Sequence, residues 1–177
     1  MKRNTLVKAH LALASVFLPF LLLMPITGGL HLLEIDGGQV KTFEFETSES
    51  VPETEAERLE FFHAQFKNQQ ITFDFEYVRT NGKDFTFRPT SRVHYVATQT
   101  ASGLTFSRVE PDLLKRLFEI HKGHGPLLMK WIEVAFALAL ILAAMSGLWL
   151  AVTSKIYRPV LLVSFASGLL LILLALI

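Results

Sequence analysis

The 177-residue chain has no cysteine. That excludes a disulfide framework, thiolate metal sites, c-type haem attachment and iron–sulfur ligation. Charge is missing as well from three long stretches. Residues 9–33, 134–154 and 159–177 contain no Asp, Glu, Lys or Arg, and run to 25, 21 and 19 residues. Crossing a hydrocarbon layer takes roughly 20 helical residues, so a purely soluble globule is excluded. Acid is absent from both ends: all 16 acidic residues lie between Glu34 and Glu133, alongside 12 Lys and Arg. The net charge is only +1, and no basic surface for nucleic acid is indicated. What the chain does have is apolar bulk, 51% hydrophobic residues with a mean hydropathy of +0.39.

Charge sets an expected topology. Lys2, Arg3 and Lys8 precede the first apolar run, and Lys155 and Arg158 separate the second from the third. Short basic loops stay in the cytoplasm. The expectation is a membrane α-helical protein with three transmembrane helices and the lipid bilayer as its surroundings. Its parts are a cytoplasmic start with helix 1 (1–33), an exported α+β domain (34–125), helix 2 (126–154), a cytoplasmic turn (155–158) and helix 3 (159–177). The first run is read as an uncleaved anchor. It exceeds the 7–15 residues of a signal-peptide core and lacks an A-x-A site. Pro19, Pro25, Gly28 and Gly29 predict a bend toward its outer end. Ala135–Ala144 and Ser146-Gly147 give helix 2 small residues suited to close helix packing.

The middle segment carries short elements. Val40–Glu46 reads as a strand with Lys41, Phe43 and Phe45 on one face, and Glu55–Gln69 as a helix with Leu59, Phe62, His63 and Phe66 on one side. Ile71–Val78 alternates like a strand, and Asn81-Gly82 signals a hairpin turn. Val93–Thr98 and Leu104–Val109 form a second hairpin, after which Pro111 opens a helix over Asp112–His121. No nucleophile elbow, phosphate loop or carboxylate pair at recognisable spacing appears.

Six histidines remain. His63 and His94 lie inside the middle segment and read as structural. The other four bracket the apolar runs. His10 and His31 stand near the two ends of the first run, about 31 Å apart on an ideal helix and turned by roughly 60°. His121 and His124 precede the second run, and Gly123, Gly125 and Pro126 predict a break there. Ionisable residues at a span are functional candidates, and neutral imidazole is a common ligand for haem iron, copper and zinc. The expectation is that His31, His121 and His124 converge at the outer surface; the alternatives are interfacial histidines that tolerate both phases, or polar residues hydrogen-bonding a neighbouring helix. Two imidazoles would clamp a haem, with Phe17, Phe20, Leu30 and Leu128 packing its faces; His31 and His124 are the expected iron ligands. His10 would need a partner from another chain. Lys130 and Glu133 are read as interfacial residues that pair or reach outward.

The stretch Leu113–Leu150 resembles the PepSY-associated transmembrane helix family. It shows a short basic-apolar helix, His121, Gly123 and His124, a long apolar helix, and Ser146-Gly147-Leu148 near its far end. The first helix matches too, with His10 at its start and Thr27-Gly28 near its end, and the intervening segment has the size of a PepSY-like domain. Larger members of that family are similar to inner-membrane ferric-siderophore reductases of Gram-negative bacteria. The resemblance implies a bacterial inner-membrane protein with its N-terminus cytoplasmic and its central domain periplasmic. Haem b would be ligated by His10, His31, His121 and His124, and electrons passed to ferric iron or a ferric chelate. The chain is shorter than those members, with no flavin or nicotinamide motif, so a homodimer or larger membrane complex is expected. The alternatives are a membrane-tethered PepSY-like binding or regulatory module, and an accessory subunit without redox activity.

Overall fold

The computed structural model describes residues 3–176. Lys2, one of the expected basic flank, and Ile177, the expected end of the third run, lie outside the described residues. The elements in chain order are α1 (Arg3–Val16), α2 (Leu18–Leu32), β1 (Gln39–Thr47), α3 (Glu55–Asn68), β2 (Tyr77–Asn81), β3 (Asp84–Arg88), β4 (His94–Thr100), β5 (Gly103–Pro111), α4 (Leu113–His121), α5 (Leu127–Val152) and α6 (Arg158–Leu174). They fall into two compact units, Met1–Leu22 with Val134–Ile177, and Leu23–Glu133.

The expectation of three transmembrane helices is overturned. Among the described residues one helix, α5, is long and apolar enough to cross a membrane, at 26 residues and hydropathy 2.3, or two if the bent pair that opens the chain counts as one span. The first apolar run does not make one straight helix. Asn4–Val16 and Leu18–Leu32 meet at a bend of 52°. Pro19 supplies the cause: its ring has no N–H to donate and crowds the preceding turn, so the helix breaks just before it. The third run yields a helix of 17 residues, Arg158–Leu174. At 1.5 Å per residue it covers about 25 Å, short of a hydrocarbon core of roughly 30 Å. The protein is thus a mixed α+β chain of six helices and a five-stranded antiparallel sheet within the described residues.

The sheet has the order β1-β5-β4-β3-β2. One row of its inner face runs Phe85, Ala97, Phe106, Phe45 across β3, β4, β5 and β1, and all four are buried. Helix α3 lays Phe62 and Phe66 into this face. The Phe62 ring meets the Phe87 ring at 4.9 Å, and Phe66 meets Phe87 at 5.1 Å, both edge to face. Edge-to-face pairs add about 0.5–1.5 kcal/mol each beyond burial, so the phenylalanine-rich core specifies geometry as well as volume. Thr54 caps α3 through its hydroxyl, which accepts from the Glu57 N–H. Leu59 and His63, expected on the inner side, are exposed instead; only Phe62, Gln65 and Phe66 go in.

Two further expectations change. In β1 the register slips between Phe43 and Phe45, so that Phe43 stands opposite Ser107 and Phe45 opposite Phe106. An extra residue in one strand of a pair reverses the facing of the residues beyond it, and Phe43 becomes 61% exposed while Phe45 is buried. The alternating segment from Ile71 was expected as a strand, but the strand begins only at Tyr77. Phe73 and Phe75 still pack on the core, their rings tilted against Phe66 at 5.2 and 6.1 Å, so ring packing keeps the alternation without a strand partner.

Candidate functional site

Helix α4 is set by its N-cap, Asp112. The Asp112 carboxylate accepts from the Lys115 N–H at 2.7 Å and from the Gly38 N–H at 2.6 Å. These two amides hold its pKa below the ordinary value. The cap therefore ties α4 to the chain leading into β1. Gly37 allows the close approach: its φ is +72°, and a Cβ there would fall 2.5 Å from the Lys115 nitrogen. At the other end, Gly123 has φ +70°. Its N–H bonds the Ile120 carbonyl, and the His124 N–H bonds the Glu119 carbonyl. This is the left-handed helix terminus that glycine favours. Helix α2 ends in the same way, with Glu34 at φ 60° and the Ile35 N–H on the Leu30 carbonyl.

These terminations place the histidines. His121, the last residue of α4, directs Nδ1 to the Thr27 hydroxyl of α2 at 2.5 Å. Thr27 is itself buried, and its hydroxyl donates to the Leu23 carbonyl at 2.7 Å. Gly28 follows, and a Cβ there would lie 3.7 Å from the His121 ring. The other compact unit holds a matching arrangement. His10 of α1 meets the Ser146 hydroxyl of α5 through Nδ1 at 2.8 Å. Ser146 donates to the Ala143 carbonyl at 2.9 Å, and a Cβ on Gly147 would lie 3.5 Å from the His10 ring.

His31 and His124 use carboxylates. His31 Nδ1 lies 2.5 Å from Asp36, with both side chains well exposed; the His31 hydrogen bond holds the Asp36 carboxyl below its usual value. His124 Nδ1 lies 2.9 Å from Glu119 Oε2. The same oxygen accepts from the Thr90 hydroxyl at 2.6 Å, and Arg88 Nη1 donates to that hydroxyl at 2.7 Å. Arg88 and Glu119 are 3.6 Å apart, each with a side chain 12% exposed. Burial raises the Glu119 pKa, but the Thr90 and His124 hydrogen bonds outweigh it and leave the carboxyl below its ordinary value.

His31, His121 and His124, expected to converge, share no hydrogen-bond partner. Each has its own partner, and no group of three or more His, Asp or Glu residues is arranged to hold a metal ion among the described residues. Phe17 and Phe20 pack on Phe136 at 5.9 and 5.6 Å, and Leu128 is exposed. Lys130 does not pair with Glu133. Its ammonium donates to Tyr77 Oη at 2.7 Å and lies 4.4 Å from the ring centre. His63 stacks on Phe75 at 4.3 Å. His94 is buried, with Nδ1 donating to the Arg92 carbonyl at 2.9 Å.

Sequence reasoning named Thr27 and Ser146 without pairing them with histidines, and it missed Asp36 and Glu119. A signal was present for each. Thr27 and Ser146 both precede a glycine, and the carboxylates stand five residues from their histidines across a helix terminus.

The donor chemistry suits haem iron. All four candidate histidines engage Nδ1, and Nε2 makes no hydrogen bond among the described residues. Space is a separate matter. The cavity lined by Leu13, Ala14, Phe17, Phe136, Ala139 and Ala143 holds about 40 Å³, far less than a porphyrin. No protein-family model, curated protein or solved structure matches the chain.

Proposed function

We propose that the protein is a membrane-associated haem b-binding electron-transfer component that assists reduction of ferric iron or a ferric chelate. The observation supporting this reading is the shared orientation of His10, His31, His121 and His124, each anchored through Nδ1 with Nε2 left for a ligand. Metal-bound histidines ordinarily use one nitrogen for the metal and donate the other N–H to a neighbour. His10 and His121, on helices and anchored by hydroxyls, are the preferred iron ligands. His31 and His124 are instead held by carboxylates, Asp36 and Glu119. Bound haem would supply the one-electron chemistry between its ferric and ferrous states. A second copy of the chain, or a larger complex, would complete the porphyrin site. In the proposed setting, the bacterial inner membrane, α5 crosses the bilayer, with Lys155 and Arg158 on the cytoplasmic side and the sheet domain in the periplasm.

The test is an absorbance spectrum and haem stoichiometry of full-length protein purified from haem-replete cells. A Soret band that weakens in His10→Ala or His121→Ala is the expected result. A colourless preparation overturns the reading.

A second reading, a tethered binding module without redox activity, draws on a groove of about 680 Å³ beside β2, lined by Glu53, Arg58, Leu59, Glu76, Tyr77 and Val78. It is favoured if Glu76→Ala and Val78→Asp in the full chain abolish partner capture while the histidine variants do not.

A further inference from the structure

The two hydroxyl-bearing neighbours do more than fill space beside the rings. A serine or threonine hydroxyl carries one proton and two lone pairs. Thr27 directs its proton to the backbone, to the Leu23 carbonyl at 2.7 Å with the Met24 carbonyl at 3.2 Å. Ser146 directs its proton to the Ala143 carbonyl at 2.9 Å. Both are the usual back-bonds of a hydroxyl inside a helix. With its proton used, each hydroxyl is an acceptor toward the imidazole. The facing ring nitrogen must then be the donor, which places the proton on Nδ1 of His121 and on Nδ1 of His10. In water a neutral histidine favours the opposite tautomer, with the proton on Nε2.

The glycine after each hydroxyl fits the same purpose. A Cβ added at either glycine would have ring Cε1 as its nearest atom, at 3.7 Å for Gly28 and 3.5 Å for Gly147. Alanine would touch the ring in ordinary contact, whereas a larger side chain would press on the atom between the two nitrogens. The pattern occurs once in each compact unit, on different helices, with α2 serving α4 and α5 serving α1. Two independent occurrences of hydroxyl, glycine and facing imidazole make coincidental packing a poor account of either.

We propose that Thr27 and Ser146 are positioning residues: each fixes its partner imidazole, His121 or His10, as the Nδ1–H tautomer, so that Nε2 presents an unprotonated lone pair to a metal centre. The assignment rests on the haem reading for what Nε2 would bind. The tautomer itself does not depend on that reading.

The experiment uses the full chain in detergent micelles, labelled with ¹⁵N at the histidine rings and free of haem. Expected in the wild type are a pyrrole-type Nδ1 and a pyridine-type Nε2 for both His10 and His121. Thr27→Val should shift His121 alone toward the Nε2–H form, and Ser146→Ala should shift His10 alone. Thr27→Ser should restore the His121 pattern, which separates the hydroxyl's role from a loss of folding. A wild-type ring protonated on Nε2, or a ring unmoved in its own variant with the backbone spectrum intact, overturns the proposal. Titration of the same samples with iron protoporphyrin IX forms the second arm. Losing a ligand's outer partner lowers metal affinity by roughly 10–100-fold, and a loss of that order is expected for each variant. If the tautomers behave as described and the porphyrin does not bind, the haem reading fails and the positioning role stands. If the porphyrin binds and the tautomers ignore the hydroxyls, the reverse holds.

Discussion

Removing the Glu119 carboxylate should cost the sheet domain more stability than any exposed charge change. Glu119 Oε2 receives the Thr90 hydroxyl at 2.6 Å and the His124 ring at 2.9 Å. Arg88 lies 3.6 Å away, and both side chains of the pair are 12% exposed. Arg88 Nε already lacks a hydrogen-bond partner among the described residues, so the guanidinium depends on this one carboxylate for charge compensation. Glu119→Ala leaves that cation buried and uncompensated, a change that costs about 3–5 kcal/mol. Glu119→Gln keeps an acceptor for Thr90 and loses only the charge, and hydrogen bonds to charged groups are worth about 1.5–3 kcal/mol. The assay is hydrogen exchange of β4 and β5 amides in the full chain, which reads the free energy of opening the sheet. Adding Arg88→Met to a Glu119→Leu background should recover part of the loss, because the orphaned cation is gone. A Glu119→Ala cost below about 1 kcal/mol, or no recovery in the double variant, refutes the idea that buried charge governs this cluster.

Three other outcomes are expected from the geometry. Burial lowers the His94 pKa against the opposing hydrogen bond to the Arg92 carbonyl, so the unfolded chain binds the proton more readily. Stability should be complete above the unfolded value of about 6.5 and decline as pH falls through the lower folded value. His94→Gln should flatten that limb in a pH series of melting curves. Phe66→Ala removes a ring that meets six other aromatic rings at 5.0–6.1 Å. A loss of about 3–5 kcal/mol is expected in the same exchange assay. Gly37→Ala and Gly82→Ala both put a side chain on left-handed backbone, at about 1–2 kcal/mol, but only at Gly37 would the new Cβ strike backbone, 2.5 Å from Lys115 N. Gly37→Ala should therefore be the more damaging, measured as faster exchange in α4.

Much of the sheet domain was legible because local chemistry and packing agree there. Asn81-Gly82 joins β2 to β3, Asp112 starts α4, and Phe62 with Phe66 face inward, as side-chain spacing indicates. Reading failed where one residue overrode a pattern. Alternation put Phe43 and Phe45 on one face, and a single register slip separates them. The prolines pointed to a bend toward the outer end of the first run, whereas the 52° break falls near its middle, between Val16 and Leu18. The four histidines were visible as candidates, but their partners were not. A hydroxyl on another helix leaves no periodic trace, and Thr27-Gly28 and Ser146-Gly147 were marked by the resemblance without any sign that they face histidines.

The slipped register in β1 has a consequence for solubility. β1 is an outer strand, paired on one side only with β5, and it carries Val40 and Phe43 in the open at 65% and 61% exposure. A straight, greasy outer strand invites a neighbour's strand to dock, and a local kink discourages it. The extra residue at Glu44 thus guards the stickier margin of the sheet against self-association, while the opposite margin is protected by the brevity of its strand, five residues ending in Asn81.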